Sequence, residues 1–256
     1  MKKLFFIFFI IASILPSLCA EDFSSCFVPG EVSKYKIYWL GIPLAWSQSS
    51  TDCVTNNGRE LIRITVLTED YTGIYPVNDK AVILIDPVTA LPVRTDIILN
   101  EGSTHKRNRT TFFHKKKVAV FQDFITRDIK EIPIEKDTQD LYSFIYSTRK
   151  YPLSNITNKT HKILAEEKIY DLSFKIHEDK KINISGYGNV LCSTIEPIAE
   201  FDGIFIRKGK IFFWVSKADR HMITTVKTKV AVGKITIELQ SLSGPGTDFW
   251  IKNKKK

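Results

Sequence analysis

The sequence predicts an all-β protein: one large, strongly curved antiparallel sheet, an incomplete barrel or β-spiral, with one short α-helix near residues 138–149. Three observations predict it. Apolar and polar residues alternate with period two through most of the chain. A single segment has apolar residues at helical spacing. The apolar parity of the last long run changes at Gly233, as expected where a strand bends and turns its other face inward.

The first twenty residues have the layout of a secretory signal peptide. Met1-Lys2-Lys3 is a short basic start, Leu4 to Leu15 is apolar, and Pro16 precedes Ser17-Leu18-Cys19-Ala20. The twelve residues Leu4 to Leu15, all apolar but Ser13, reach only about 18 Å as a helix, short of a ~30 Å hydrocarbon core. Leu18 stands where a lipobox would need a small residue before its cysteine, which argues against lipidation of Cys19. The expected organisation is a signal peptide over 1–20, a single antiparallel β domain over 21–245 and a basic tail over 246–256. The expected location is the periplasm or cell envelope.

In order along the chain, Tyr35, Ile37 and Trp39 alternate with Lys34, Lys36 and Tyr38 as a half-buried strand. Gly41-Ile42-Pro43 reads as a turn or break, and Asn56-Asn57-Gly58 as a hairpin turn before the strand Glu60 to Leu67. Ala81 to Ile85 is a short strand closed by Asp86-Pro87. Strands at Val93 to Leu99, Thr110 to Phe113 and Val118 to Phe124 follow. The helix places Leu141, Phe144, Ile145 and Thr148 on one face, with Asp137 as N-cap, Asp140 as a first-turn charge and Pro152 as the stop. Strands resume at Lys168 to Ile176, Ile182 to Ser185, Leu191 to Pro197 and Ile211 to Val215. Val226, Thr228, Val230 and Val232 then give way to Ile235, Ile237 and Leu239 across Gly233, read as a bulge or bend. Trp39, Phe144, Phe174, Trp214 and Val230 are expected in the core.

Several segments together resemble a known family. Gly30-Glu31 with Tyr35, Tyr38 and Gly41 resembles its first strand, and Asp86-Pro87-Val88-Thr89-Ala90-Leu91-Pro92 its "D-P-x-T-x-L-P" turn. Asp140-Leu141-Tyr142-Ser143 to Tyr146 and Arg149 resembles its helix, with Tyr142 as a departure. Gly209 to Trp214-Val215-Ser216 and Val232-Gly233-Lys234-Ile235 to Leu239 resemble its closing strands. The family is the bacterial exported domain of unknown function numbered 3108. The resemblance implies an antiparallel envelope protein and carries over no catalytic residue. Gly233, Trp39, Trp214, Pro87, Asp140 and Arg149 are read as structural.

With 256 residues, 43% hydrophobic, 12% aromatic and 25% charged, the composition excludes collagen-like, low-complexity and disulfide-scaffold classes. Cys26, Cys53 and Cys192 follow the signal segment; one disulfide of unknown pairing would leave one thiol, and the spacing fits no zinc site. No zinc-protease helix, nucleophile elbow, Walker loop or dinucleotide fingerprint occurs, so no catalytic, metal or cofactor residue is assigned. His105, His114, His161, His177 and His221 read as structural or surface residues.

Lys106, Arg107, Arg109, Lys115, Lys116 and Lys117 flank one strand and could meet an anionic surface, or simply solvate a hairpin tip. The expected function is non-catalytic: a concave β surface holding a lipophilic or polymeric envelope ligand. The alternatives are a scaffold for other envelope proteins and an unrecognised hydrolase. Nucleic acid is not expected as a partner, and peripheral membrane contact is left open.

Overall fold

The computed structural model describes residues 26–73, 75–150, 152–199, 210–218, 220–230 and 232–245; the signal segment and the basic tail lie outside the described residues. The strands are β1 (Val32–Trp39), β2 (Ile42–Asn56), β3 (Arg59–Asp70), β4 (Asn78–Ile85), β5 (Pro92–Glu101), β6 (Thr104–Phe113), β7 (Val118–Asp123) and β8 (Ile129–Pro133). Two short helices follow, α1 (Leu141–Ser147) and α2 (Leu153–Thr157). The chain continues through β9 (His161–Ala165), β10 (Lys168–Ile184), β11 (Gly188–Ala199), β12 (Ile211–Ser216), β13 (Ile223–Lys229) and β14 (Lys234–Ser243).

All fourteen strands form one sheet, ordered β8-β7-β6-β5-β4-β3-β2-β1-β14-β13-β12-β11-β10-β9. Each neighbouring pair is antiparallel, and β1 against β14 joins the two meanders. The sheet is not closed, because β8 and β9 do not pair. The segment after β8 fills the gap instead. Gln139 bridges Ile163 in parallel, its N–H bonded to Lys162 O at 3.0 Å and its carbonyl accepting from Leu164 N at 2.8 Å. Lys130–Glu167 and Lys106–Glu166 pair across the same seam, over an apolar cluster of Phe112, Phe121, Ile132, Ile134 and Leu164. The predicted class, an incompletely closed antiparallel barrel, is the observed one.

The details differ in instructive places. Helix α1 starts at Leu141, and Asp140 rather than Asp137 is its cap, accepting from Tyr142 N and Ser143 N. Residues just before it are committed to the seam with β9, which is why the helix is shorter than its pattern. A 3-10 turn over Thr148–Lys150 extends the helical run to just before Pro152. Pro152 in turn occupies the cap position of α2, whose two buried apolar residues, Leu153 and Ile156, are too few to show a period. β8 and β9 were not read from the sequence, being five-residue strands. The runs 168–176 and 182–185 are one 17-residue strand with a register shift between Ile176 and Asp179.

Gly233 is not a bend within one strand. It ends the tight turn between β13 and β14, where Val226 pairs with Ile237 and Thr228 with Ile235. Partners on a shared face there have opposite parity, so the flip is the signature of a hairpin. The φ of +85° at Gly233 does fit the need for glycine.

Phe144 is buried, whereas Trp39, Phe174, Trp214 and Val230 are only half-buried: Phe174 because it lines a cavity, Trp39 and Val230 because they lie beside a turn. Cys26 and Cys192 lie in different clusters of the core and Cys53 is exposed on β2, so no bridge forms among these three.

Candidate ligand-binding cavity

Helix α1 stands on the concave face between the two arms of the sheet and is buried on both sides. Tyr142 and Tyr146 pack with Phe27, Ile62, Ile64, Ile83 and Ile85 of the first arm. Phe144 and Leu141 pack with Ile163, Leu172, Ile195 and Val215 of the second. Burial pushes the Tyr142 phenol up to about 12, with Asp140 adding to the rise.

Four polar anchors fix the helix. Asp140 Oδ2 accepts from Thr95 Oγ1 at 2.9 Å on β5, while Oδ1 caps the helix; burial raises this carboxyl above its ordinary value. Gln139 Nε2 donates to Ala90 O at 3.0 Å, inside the turn that Asp86 and Pro87 begin. In that turn Asp86 Oδ1 accepts from Val88 N, and Ala90 is wholly buried at φ +55°. The Tyr146 hydroxyl meets Ser49 Oγ at 3.0 Å, and the Tyr146 ring lies under the Arg149 guanidinium.

Glu31, 1% exposed, receives Arg149 Nη1 at 2.9 Å and Arg220 Nη1 at 2.8 Å, one on each carboxylate oxygen. Arg220 and His221 have φ of +76° and +44°, so the β12–β13 connection is held in a strained form. That connection delivers Arg220 to Glu31.

Between the helices and strands β10 to β13 lies a cavity of about 430 Å³, within the ordinary range of ligand pockets. Leu141, Phe144, Ile145 and Thr148 form its helical wall: the face that the sequence periodicity picks out. Leu153 and Ile156 of α2, with Ile195, Phe213, Val215 and Ile223 of the sheet, make up most of the remainder. Polar residues are few. Thr148 and His221 are joined through the Thr148 carbonyl and His221 Nδ1 at 3.4 Å. Glu196 and Lys210 are ion-paired at 3.2 Å. Glu196 also meets His177 Nε2 at 2.7 Å, and that hydrogen bond, with Lys210 assisting against desolvation, lowers its carboxyl below the ordinary value.

Behind the cavity, the His161 ring packs against Phe144 at 4.7 Å and Phe174 at 6.0 Å. Burial lowers its value below the usual 6.5. Among the described residues, no three His, Cys, Asp or Glu side chains are grouped as a metal site.

The basic residues singled out in the sequence do not form one cluster. Lys106 and Arg107 lie near one end of β6 and Arg109 at its middle, while Lys115, Lys116 and Lys117 follow its other end, roughly 20–35 Å away at ~3.3 Å per residue. Lys106 pairs with Glu166, Arg109 with Asp96 at 2.5 Å, and Arg107 lies over the Phe124 ring. Trp39 and Trp214 are both outside the cavity wall, the first tied to Val232 O through Nε1 at 2.8 Å. α2, His221 and the Glu31–Arg220 contact were not predicted as parts of the site. Of these, only Glu31 carried a signal, as the acid of the Gly30-Glu31 motif.

Fold and cavity together define an unclosed antiparallel barrel with a helical plug and an apolar internal chamber. The chain belongs to the family described as protein of unknown function (DUF3108), whose model matches residues 34–240. Among solved structures it is similar to the beta-barrel-like protein of domain of unknown function DUF1849 from Brucella abortus. That similarity has a TM-score of 0.53 at 7% identity, covering 86% of this chain and 100% of the other, and it shows the fold alone. A structure from Parabacteroides distasonis ATCC 8503, provisionally named a lipoprotein, aligns over 87% of this chain and 99% of its own, with TM-score 0.39 and 10% identity. A search of curated proteins returns no match.

Proposed function

We propose that this protein is an exported, non-catalytic binding module of the cell envelope that holds the apolar part of a lipophilic ligand between α1, α2 and strands β10 to β13. The observation that supports this reading is the cavity of about 430 Å³, walled mainly by Leu, Ile, Phe and Val. Apolar chambers of this kind favour hydrocarbon over water, whereas an enzyme site needs convergent, reactive polar groups. The polar residues present are already engaged with one another: Glu196 with His177 and Lys210, and His221 with the Thr148 carbonyl.

Helix α1 is the wall on which the reading depends. Its anchors at Asp140, Gln139, Tyr146 and Arg149 fix where Phe144 and Leu141 meet the β10–β13 arm, and so set the shape of the chamber beside that contact. Titration of the delipidated protein with a fluorescent polyene fatty acid tests this. A saturable, one-site rise in emission that a non-fluorescent aliphatic acid reverses is the expected result. A linear, non-saturable signal would refute the reading.

A further inference from the structure

We propose that the adjoining tips of the β1–β2 and β13–β14 hairpins form a docking element for an anionic lipid bilayer. Because every strand pair is antiparallel, alternate connections share one rim of the sheet, and these two are neighbours on it through the β1–β14 pairing. They are joined as one unit: Leu40 N donates to Lys234 O at 3.0 Å, and Trp39 Nε1 donates to Val232 O at 2.8 Å.

Two local choices at these tips work against the fold. Leu40 and Gly41 have φ of +53° and +87°, a turn in which the first position favours asparagine; leucine there is strained, and its side chain is 53% exposed. Lys229 and Lys234 sit directly opposite each other on β13 and β14, both exposed, neither with an acidic partner among the described residues. Like charges so placed repel. Ile42 at 53%, Tyr71 at 58% and Val232 at 66% exposure extend the apolar tip, and Lys36 Nζ lies 4.8 Å over the Tyr71 ring.

A bilayer of anionic lipid answers both costs at once. Its boundary takes the apolar tips out of water, its phosphates neutralise the paired lysines, and Trp and Tyr side chains suit the headgroup level. A protein partner would need an acidic patch beside an apolar socket, and nothing in the described residues calls for so specific a shape. The same rim carries the ends of β11 and β12, where Ile198 and Lys210 line the cavity. The docking element uses other residues, however, and stands whether or not the chamber binds lipid.

Vesicle co-sedimentation of the exported chain, with every variant in the same background, tests the proposal. Wild type is expected to sediment with phosphatidylglycerol–phosphatidylethanolamine vesicles and not with phosphatidylcholine alone. The Leu40→Asn/Val232→Ser double variant should bind about tenfold more weakly while melting no lower than wild type, since asparagine suits the left-handed turn. Lys229→Ser/Lys234→Ser should weaken binding about tenfold and flatten its salt dependence. Lys115→Ser/Lys116→Ser/Lys117→Ser, at the opposite rim, should bind as wild type does. The proposal is overturned if wild type ignores anionic vesicles, if the Leu40/Val232 variant binds undiminished, or if the opposite-rim variant is the one that loses binding. Fatty-acid binding in the chamber should be unchanged in the tip variants, so failure of this proposal and failure of the chamber reading are told apart.

Discussion

Glu31 and Arg149, 118 positions apart, meet at 2.9 Å inside the barrel with side chains 1% and 6% exposed. The pair fastens the residue leading into β1, the strand that forms the seam with β14, to the C-terminal end of the helical plug. Arg220 occupies the second oxygen of Glu31 at 2.8 Å. The sharing is unequal, and it makes the two partners' removal unequal as well.

Glu31→Ala leaves the Arg149 guanidinium buried without its carboxylate, a loss of about 3–5 kcal/mol. Arg149→Met leaves Glu31 still paired with Arg220, so it should cost clearly less. Urea unfolding of the two variants checks the order, and equal losses would show that Arg220 does not hold the carboxylate.

His161 packs between aromatic residues behind the cavity and has its value lowered chiefly by burial. A base with a depressed folded value favours the neutral form, so its contribution to stability is full above its ordinary value and is lost as pH falls through that value toward the depressed one. Melting temperature should therefore fall between about pH 7.5 and about pH 5.5, and His161→Gln should flatten that fall. Thermal scans of both proteins at each pH are the check.

Gly233 has φ +85°, and any side chain there would run into Leu40. Gly233→Val should cost at least about 1–2 kcal/mol from the left-handed backbone alone. Because the strain sits in a hairpin tip rather than in a wall of the chamber, fatty-acid binding at low temperature should survive. Melting curves and the probe titration read the two effects separately.

Trp214 Nε1 is buried with no hydrogen-bond partner, whereas Trp39 Nε1 donates to Val232 O. Trp214→Phe removes an unsatisfied donor and should cost less than about 1 kcal/mol, and less than Trp39→Phe, which breaks a bond and frees the hairpin tip. Paired denaturant titrations of the two variants would show it.

The sheet was legible because its strands alternate, and the chamber's helical wall because Leu141, Phe144, Ile145 and Thr148 fall on one face. The other buried face of α1 was not, since Tyr142, Tyr146 and Arg149 look like a polar side until the first arm of the sheet is seen against them. Asp140 reads as a first-turn charge in the sequence, which does not show that Gln139 is bound to β9 and Ala90. The parity change at Gly233 was read from local pattern, and a bulge and a hairpin leave the same trace there. Only pairing across the turn separates them.

The central claim is that the chamber between α1, α2 and the β10–β13 arm holds a lipophilic ligand, and Ile195 on its floor offers the most direct test. Native mass spectrometry of wild type and Ile195→Trp, each recovered from the envelope of the same host, compares an open chamber with a filled one. The account predicts a one-to-one adduct of lipid mass on wild type that is missing from a folded Ile195→Trp. A bare wild-type chain, or an adduct that persists unchanged in the filled variant, would contradict it.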